Sequence, residues 1–295
     1  MQNYKTNSLK RDNLFIKCGN HSINFRDSAV MGILNLTPDS FFDGGNYQNE
    51  KSVLNRAEQI ITEGAQIIDL GAYSTRPGAK QVSVEEEFHR LQPAVKCIRK
   101  EFPDAILSID TFRSIIAKQI VDEFGACIIN DISGGTMDKG MYEIVGELKV
   151  PYIMMHIQGT PQNMQNKPIY HDLMKEMMNF FKQRISLLKE FGVQDIIVDP
   201  GFGFGKTIDH NYEIMGKLQE FTSLKCPLLV GISRKSMIYK FLGGDPTTSL
   251  NGTTALNMMA LNRGANLLRV HDVKDAVECV QLYNRITSVG DGNIQ

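Results

Sequence analysis

A closed β/α barrel is the fold this sequence predicts, on three observations. Ser-Ile-Asp at 108–110, Ile-Ile-Asn-Asp at 128–131 and Ile-Val-Asp-Pro at 197–200 each end a short β-branched run on polar groups. Each is followed by a segment of helical character. The same strand-then-helix alternation recurs along most of the chain, with no Pro/Ser-rich linker or low-complexity tract to divide it. In such a barrel the strand interiors fill the core, and polar residues at the C-terminal tips converge on one mouth. Asp and Asn residues far apart in sequence then share one pocket.

The elements follow in order. Leu14 to Lys17 and Ser22 to Phe25 flank Cys18-Gly-Asn-His, which reads as a β-hairpin within about 14–26. Eight strands are expected at 29–34, 66–70, 105–109, 127–130, 151–155, 195–198, 227–231 and 266–270. The intervening stretches carry apolar residues at helical spacing, as in Val53, Ala57, Ile60 and Ile61, or Leu173, Met177, Phe181 and Leu188. Pro103, Pro151 and Pro227 stand at or just before strand starts, where a missing amide proton costs little. Asp272 is placed to cap a last helix running towards Ile286. The expectation is therefore an α/β protein, a TIM (β/α)8 barrel with an N-terminal β-hairpin. It forms a single domain over 1–295, the barrel itself occupying about 29–287. The segments after the first two barrel strands, 35–49 and 71–84, are long for barrel loops and hold Gly and Pro turn signals, so they are candidate mobile flaps.

Composition narrows the function. Lys+Arg 32 against Asp+Glu 33 leaves a formal charge of -1, which argues against nucleic acid or an anionic membrane as partner. The start, MQNYKTNSLKRDNLFIK, lacks the apolar core of a signal peptide, and no apolar run reaches spanning length, so cytoplasmic residence is expected. Cys18, Cys97, Cys127, Cys226 and Cys279 are dispersed and odd in number, which reads as buried free thiols. No GxGxxG follows the first strand, which weakens a nicotinamide reading.

Each candidate site residue also has a plain structural reading. Asp110 can cap the helix that follows it, Asn130 and Asp131 can form a turn, and Asp199 before Pro200 can bond its own loop. Repetition of polar tips on several strands favours one shared pocket instead. Gly201 to Thr207 resembles a phosphate loop but is not one, because Pro200 occupies the place where GxxxxGKT needs Gly. Its glycines would let backbone approach a planar ligand, with Phe202 or Phe204 available for stacking, although a tight structural turn fits as well. Ser233-Arg234-Lys235 follows the seventh strand, and a lysine there can bond a heterocycle or an anion. Arg269 and His271 bracket the eighth strand on one face and make an anion clamp. Asn35 offers an amide oxygen to a hard cation that keeps several waters, and Arg76 brings a further positive charge towards the mouth. His156 can line the pocket or make a structural hydrogen bond. His21, His89, His171 and His210 are not spaced as zinc ligands.

Taken together, MGILNLTPDSFFDGG, IIDLGAYSTRPGA, SIDTFRS, IINDISGG, MMHIQGTPQNMQ, IIVDPGFGFGKT, GISRKS and RVHDV resemble the dihydropteroate synthase family, in family order over residues 31–273. The resemblance implies a pterin-binding TIM barrel, usually a cytoplasmic homodimer. It would join 4-aminobenzoate to 6-hydroxymethyl-7,8-dihydropterin diphosphate, giving 7,8-dihydropteroate and pyrophosphate by an SN1-like displacement with Mg2+. It places Asp110, Asn130, Met154, Asp199 and Lys235 around the pterin. Asn35, Arg269 and His271 would hold the diphosphate, Asn35 also holding the magnesium, and Phe41, Thr75, Arg76, Pro77, Phe202 and Ser233 would form the 4-aminobenzoate site, where sulfonamides compete. Asp110, Lys235, Arg269, His271 and Asn35 are the expected catalytic set. One departure stands out: Tyr73 in Gly-Ala-Tyr-Ser-Thr-Arg occupies a place where many members carry Glu, which bears on loop packing.

Three other readings compete. A pterin-binding methyltransferase acting on methyltetrahydrofolate shares part of the pocket but has no need of TRPG, RKS and RVHDV together. A Schiff-base aldolase would use Lys235 covalently. A non-catalytic pterin-binding protein would keep the fold without turnover.

Overall fold

The computed structural model describes residues 14–36, 46–74, 81–164 and 168–290. The chain opens with a hairpin, β1 (Phe15–Cys18) and β2 (His21–Asn24), in which Cys18 lies opposite His21. Eight parallel strands follow: β3 (Ala29–Asn35), β4 (Ile67–Gly71), β5 (Ile106–Asp110), β6 (Ile128–Asp131), β7 (Tyr152–Met155), β8 (Ile196–Asp199), β9 (Leu229–Val230) and β10 (Leu267–Val270). They pair in the order β8-β7-β6-β5-β4-β3-β10-β9. The ring closes through a parallel bridge between Val198 and Leu228, with the Val198 N–H donating to the Pro227 carbonyl at 2.9 Å. Every strand lies within two residues of its sequence-predicted bounds, because β-branched runs between turn signals leave little freedom in placing them.

The helices are α1 (Asn46–Thr62), α2 (Val84–Glu101), α3 (Ser114–Phe124), α4 (Met141–Leu148), α5 (Leu173–Glu190), α6 (Ile208–Gly216), α7 (Ser236–Leu242), α8 (Leu250–Asn262) and α9 (Val273–Gly290). A 3-10 turn at Leu218–Leu224 lies between α6 and β9. On α1, Val53, Ala57 and Ile60 are buried as expected, but Ile61 is exposed: one step of 100° carries it off the apolar stripe. Asp272 does precede α9, yet its carboxylate accepts both Arg234 Nε and Nη2. Of the five thiols, Cys18, Cys127 and Cys279 are buried, whereas Cys97 and Cys226 are only half-buried.

Alternation along the strands divides the apolar residues into two shells. Outward side chains such as Leu70, Leu107, Ile129 and Val198 pack under the helices. Inward, a layer of Met31, Ile67, Ile128, Ile153, Ile197, Leu229 and Leu267 meets Ile16, Ile23 and Phe25 of the hairpin segment. The hairpin thus plugs the N-terminal end of the barrel, and any ligand must enter from the other end. Phe25 is fully buried in this plug. Phe25→Ala is expected to destabilise the protein by about 3–5 kcal/mol, read as a lowered urea midpoint. Turnover per folded molecule should stay unchanged, since the plug lies opposite the mouth.

Candidate active site

One step above the plug layer the inward positions turn polar. Ile67 gives way to Asp69, Ile128 to Asn130, Ile197 to Asp199 and Leu267 to Arg269, all by the two-residue period of a strand. Asp69, which the sequence reading did not single out, is fully buried. It accepts Arg269 Nε at 2.7 Å, Arg269 Nη2 at 2.6 Å and Asn130 Nδ2 at 3.2 Å. Arg269 Nη2 also donates to Asp110 Oδ2 at 2.8 Å. The structure thus brings Asp110, Asn130 and Arg269 together around a carboxylate deeper in the barrel.

Gly71 at the tip of β4 keeps the space above this cluster open. A Cβ there would lie 3.5 Å from Asp110 Oδ2 and 3.7 Å from Asn35 Oδ1, so Asn35 and Asp110 share one opening. Burial, opposed by Arg269 and reinforced by Asp69, raises the Asp110 carboxyl to about 7. By linkage, the stability Asp110 contributes at low pH is lost as the pH rises from 3.8 to about 7. Burial pulls the Arg269 guanidinium down, but Asp69 and Asp110 outweigh it and raise it above its ordinary value.

The loop after β8 completes the opposite wall. Asp199 Oδ1 accepts the Gly201 N–H at 2.7 Å, and burial raises this carboxyl against the pull of Lys235. Lys235 Nζ donates to the Phe202 carbonyl at 2.5 Å and stands 4.7 Å from the Phe204 ring centroid. Burial pushes its ammonium down to about 8. Lys206, also missed from sequence, is buried beneath this loop. Its Nζ donates to the carbonyls of His156, Gly201 and Phe204 at 2.9–3.0 Å and lies 3.1 Å from His156 Nδ1. Burial brings it down to about 7. Gly201, at φ +68°, passes so close to His156 that a Cβ would stand 2.2 Å from its carbonyl oxygen.

At β10 the His271 N–H donates to Ser233 Oγ at 3.2 Å, and Nδ1 lies 3.3 Å from the same hydroxyl. Burial, then Arg269 and Arg234, depress His271 to about 4, so the imidazole is neutral at physiological pH. Beside it opens a groove of about 370 Å³ carrying Arg56, Arg234 and Lys274 with Glu63, Asp272 and Asp275.

Two placements differ from the expectations. Met154 points outward into the helix-facing core, because the neighbouring strand position decides parity; Met155 joins the apolar rim instead. The Phe202 ring is fully buried in the outer core, leaving Phe204 on the rim. Ser233 is held against His271. His156 serves Lys206 and packs edge-on to Phe180 at 4.8 Å. Asp131 anchors its own turn through Ser133 and Gly135 N–H and receives the Tyr152 hydroxyl at 2.6 Å. Phe41, Thr75, Arg76 and Pro77 lie outside the described residues.

Tyr73 does have a structural account. Its ring meets Phe112 edge-on at 5.1 Å, and its hydroxyl accepts Gln162 Nε2 at 3.0 Å, tying the loop after β4 to those after β5 and β7. Nearby, Glu87 of α2 is fully buried and accepts Thr111 Oγ1 and Arg113 Nη1, both at 2.6 Å.

A family model described as pterin binding enzyme matches residues 31–271. Dihydropteroate synthase of Escherichia coli (strain K12) is 41% identical over 269 residues, covering 90% of this chain and 94% of that one. A Yersinia pestis dihydropteroate synthase solved with a sulfonamide drug complex superimposes with a TM-score of 0.86 at 38% identity, covering 93% and 100% of the two chains. A Xanthomonas albilineans dihydropteroate synthase solved with 4-aminobenzoic acid gives a TM-score of 0.85 at 33% identity, covering 94% and 99%.

Lys206→Met would strand the buried carbonyls of His156 and Gly201 and the half-buried one of Phe204. It is expected to cost at least about 1–3 kcal/mol in urea unfolding, the range for one orphaned buried acceptor. The exposed control Lys217→Met should leave the urea midpoint essentially unchanged.

Proposed function

This chain belongs to the dihydropteroate synthase family of pterin-binding enzymes, and from that premise we propose how its own residues carry the reaction. The protein condenses 6-hydroxymethyl-7,8-dihydropterin diphosphate with 4-aminobenzoate to give 7,8-dihydropteroate and pyrophosphate. The observation that supports the assignment of roles is the inward polar layer of Asp110, Asn130, Asp199, Lys235 and Arg269 at the open end of a plugged barrel.

Asp199 accepts the pterin amino and ring N–H groups, and Lys235 donates to the oxygen and nitrogen edge of the ring. Asn130 lines the same pocket, with Met155 in place of Met154 on its apolar side. Arg269, His271 and Asn35 hold the diphosphate. The arylamine takes the outer position, with Phe204 as the ring on the described rim and Phe41, Thr75, Arg76 and Pro77 assigned through the family resemblance.

The displacement is SN1-like. The methylene C–O bond breaks and its electron pair leaves with pyrophosphate, so positive charge spreads from the methylene into the reduced pterin. Asp110 stabilises that charge, while Arg269 and His271 stabilise the leaving anion. The amine lone pair then bonds to the methylene carbon, and the resulting acidic anilinium passes a proton to solvent water. No strong base is needed, since an arylamine is already neutral near pH 7.

The donor set also bears on magnesium. No group of three or more His, Cys, Asp or Glu residues is arranged for a metal among the described residues. Asn35 offers one hard oxygen, which suits a cation taking its other ligands from water and diphosphate. Magnesium held there would neutralise charge on the leaving group.

A homodimer belongs to the same proposal. Phe241 and Leu242 of α7, Met259 of α8, and Leu282, Ile286 and Val289 of α9 are exposed on three helices packed in succession. Exposed apolar side chains on adjacent helices support an interface between copies there. No helix among the described residues is long and apolar enough to cross a membrane, and cytoplasmic residence remains part of the reading.

Three measurements test this. Pyrophosphate and dihydropteroate should form together when pterin diphosphate, magnesium and 4-aminobenzoate are all supplied. Folded protein that binds pterin without condensing it would overturn the assignment. The kcat/KM for pterin diphosphate should climb through about pH 7 as Asp110 ionises, and that limb should vanish from the residual activity of Asp110→Asn. Leu282→Glu with Ile286→Glu should convert a dimer to a monomer in sedimentation velocity; an unchanged mass would place the interface elsewhere.

A further inference from the structure

We infer that Asp69 is a positioning residue: it fixes which edge of the Asn130 amide and which amine of Arg269 face the substrate. The inference rests on the pterin reading of the pocket. It begins with the placement of a carboxylate in mid-strand between Ile68 and Leu70, where exposure is zero. Asp69 lies level with Ser108, two residues below Asp110, so it belongs to the layer under the mouth. A carboxylate at that depth has to be paired with donors. Its partners here are two residues that themselves face the mouth.

Asn130 Nδ2 lies 3.2 Å and 3.4 Å from the two Asp69 oxygens. Turning the amide over would set its carbonyl oxygen against the carboxylate, acceptor to acceptor. The flip state is therefore decided before substrate arrives, leaving Oδ1 and the second N–H to read the ring as one acceptor beside one donor. Without Asp69 both orientations become available, and one of them presents the edge reversed.

Arg269 is set in the same way. Asp69 takes Nε and Nη2, and Nη2 also reaches Asp110. Among the described residues these contacts fix the guanidinium plane from its inner edge, which turns Nη1 and its two hydrogens outward for an anion. Asp110 alone would hold the arginine by one amine and leave the plane free to rotate. Asp69 thus prepares the donors on both sides of the methylene where the bond breaks, without touching substrate.

The test separates positioning from bulk support. Asp69→Asn is expected to fold, to lose about 10²-fold in kcat/KM for pterin diphosphate, the order associated with a misplaced site group, and to leave the KM for 4-aminobenzoate within twofold. In an Asn130→Ala background the same substitution should weaken 6-hydroxymethylpterin binding, followed by calorimetry, less than threefold, because the amide it orients is gone. The exchange Asp69→Asn with Asn130→Asp rebuilds a carboxylate–amide pair in reverse. It should recover the urea midpoint of the unaltered protein but not its pterin affinity. Full additivity of the two single substitutions, or recovery of affinity by the exchange, would overturn the inference. Should Asp69→Asn fail to fold, side-chain amide exchange in the unaltered protein still decides. One Asn130 amide proton should be protected before ligand is added, and rapid exchange of both would sink the idea. Absence of pterin binding by the unaltered protein would instead remove the pocket reading on which the inference stands.

Discussion

A carboxylate in the middle of a barrel strand is costly to bury unless donors surround it, and Asp69 makes the polar layer necessary as well as possible. Arg269 supplies two of those donors and Asn130 a third. Once Arg269 is drawn inward, its second contact with Asp110 follows from the register of β4 and β5, which sets Asp110 opposite Gly71. Gly71 in turn leaves space that any side chain would fill, and Asn35 faces the same space from β3. Four strands thus contribute to one network of charges, and the apolar plug of the hairpin keeps water from reaching it from below.

The far wall obeys a similar logic with a different ion. Lys206 is an ammonium surrounded by carbonyls, and it folds the segment after β8 back upon His156. That segment then offers the Phe202 carbonyl to Lys235 and holds the Phe204 ring beneath it. Lys235 is consequently held on the same wall as Asp199, within reach of its charge, instead of extending into solvent. A Schiff-base role would need that amine free to attack a carbonyl. Its carbonyl partner and neighbouring carboxylate suit a hydrogen-bond donor to a heterocycle.

What could be read from the sequence depended on local pattern. The strands and the plug hairpin were legible because β-branched runs and turn residues are short-range signals. Asp110, Asn130, Asp199, Arg269 and His271 were legible because they end strands. Asp69 was not, since it sits inside an apolar run and shows its role only when Arg269, 200 residues away, folds against it. Lys206 was hidden inside a segment that invited comparison with a phosphate loop. Glu87 stood in an acidic first helical turn, which reads as solvent-facing, although helix phase turns it inward to Arg113. Met154 against Met155, and Phe202 against Phe204, are questions of parity: a motif locates the pair, while strand or loop phase selects the member. Tyr73 likewise acquires its meaning from Phe112 and Gln162, which no local pattern connects to it.

On the proposed roles, the same charges favour the transition state over the ground state. Burial, opposed by Arg269 and reinforced by Asp69, makes an ionised Asp110 unfavourable and raises its carboxyl to about 7. An arriving diphosphate adds negative charge nearby and makes that ionised form less favourable still, and it must also compete with Asp110 for Arg269. When the C–O bond begins to part, positive charge develops on the pterin fragment beside Asp110, and negative charge moves towards the outward amine of Arg269 and the neutral His271. The carboxylate, already bonded to Arg269, then gains a second positive charge beside it. An interaction that strengthens only as charge separates lowers the barrier without deepening the ground state, which is the condition for raising turnover as well as binding. Asp69 and Asp110 thus share Arg269 between them, and on the proposed roles the charge that bond cleavage places beside Asp110 adds to that pairing.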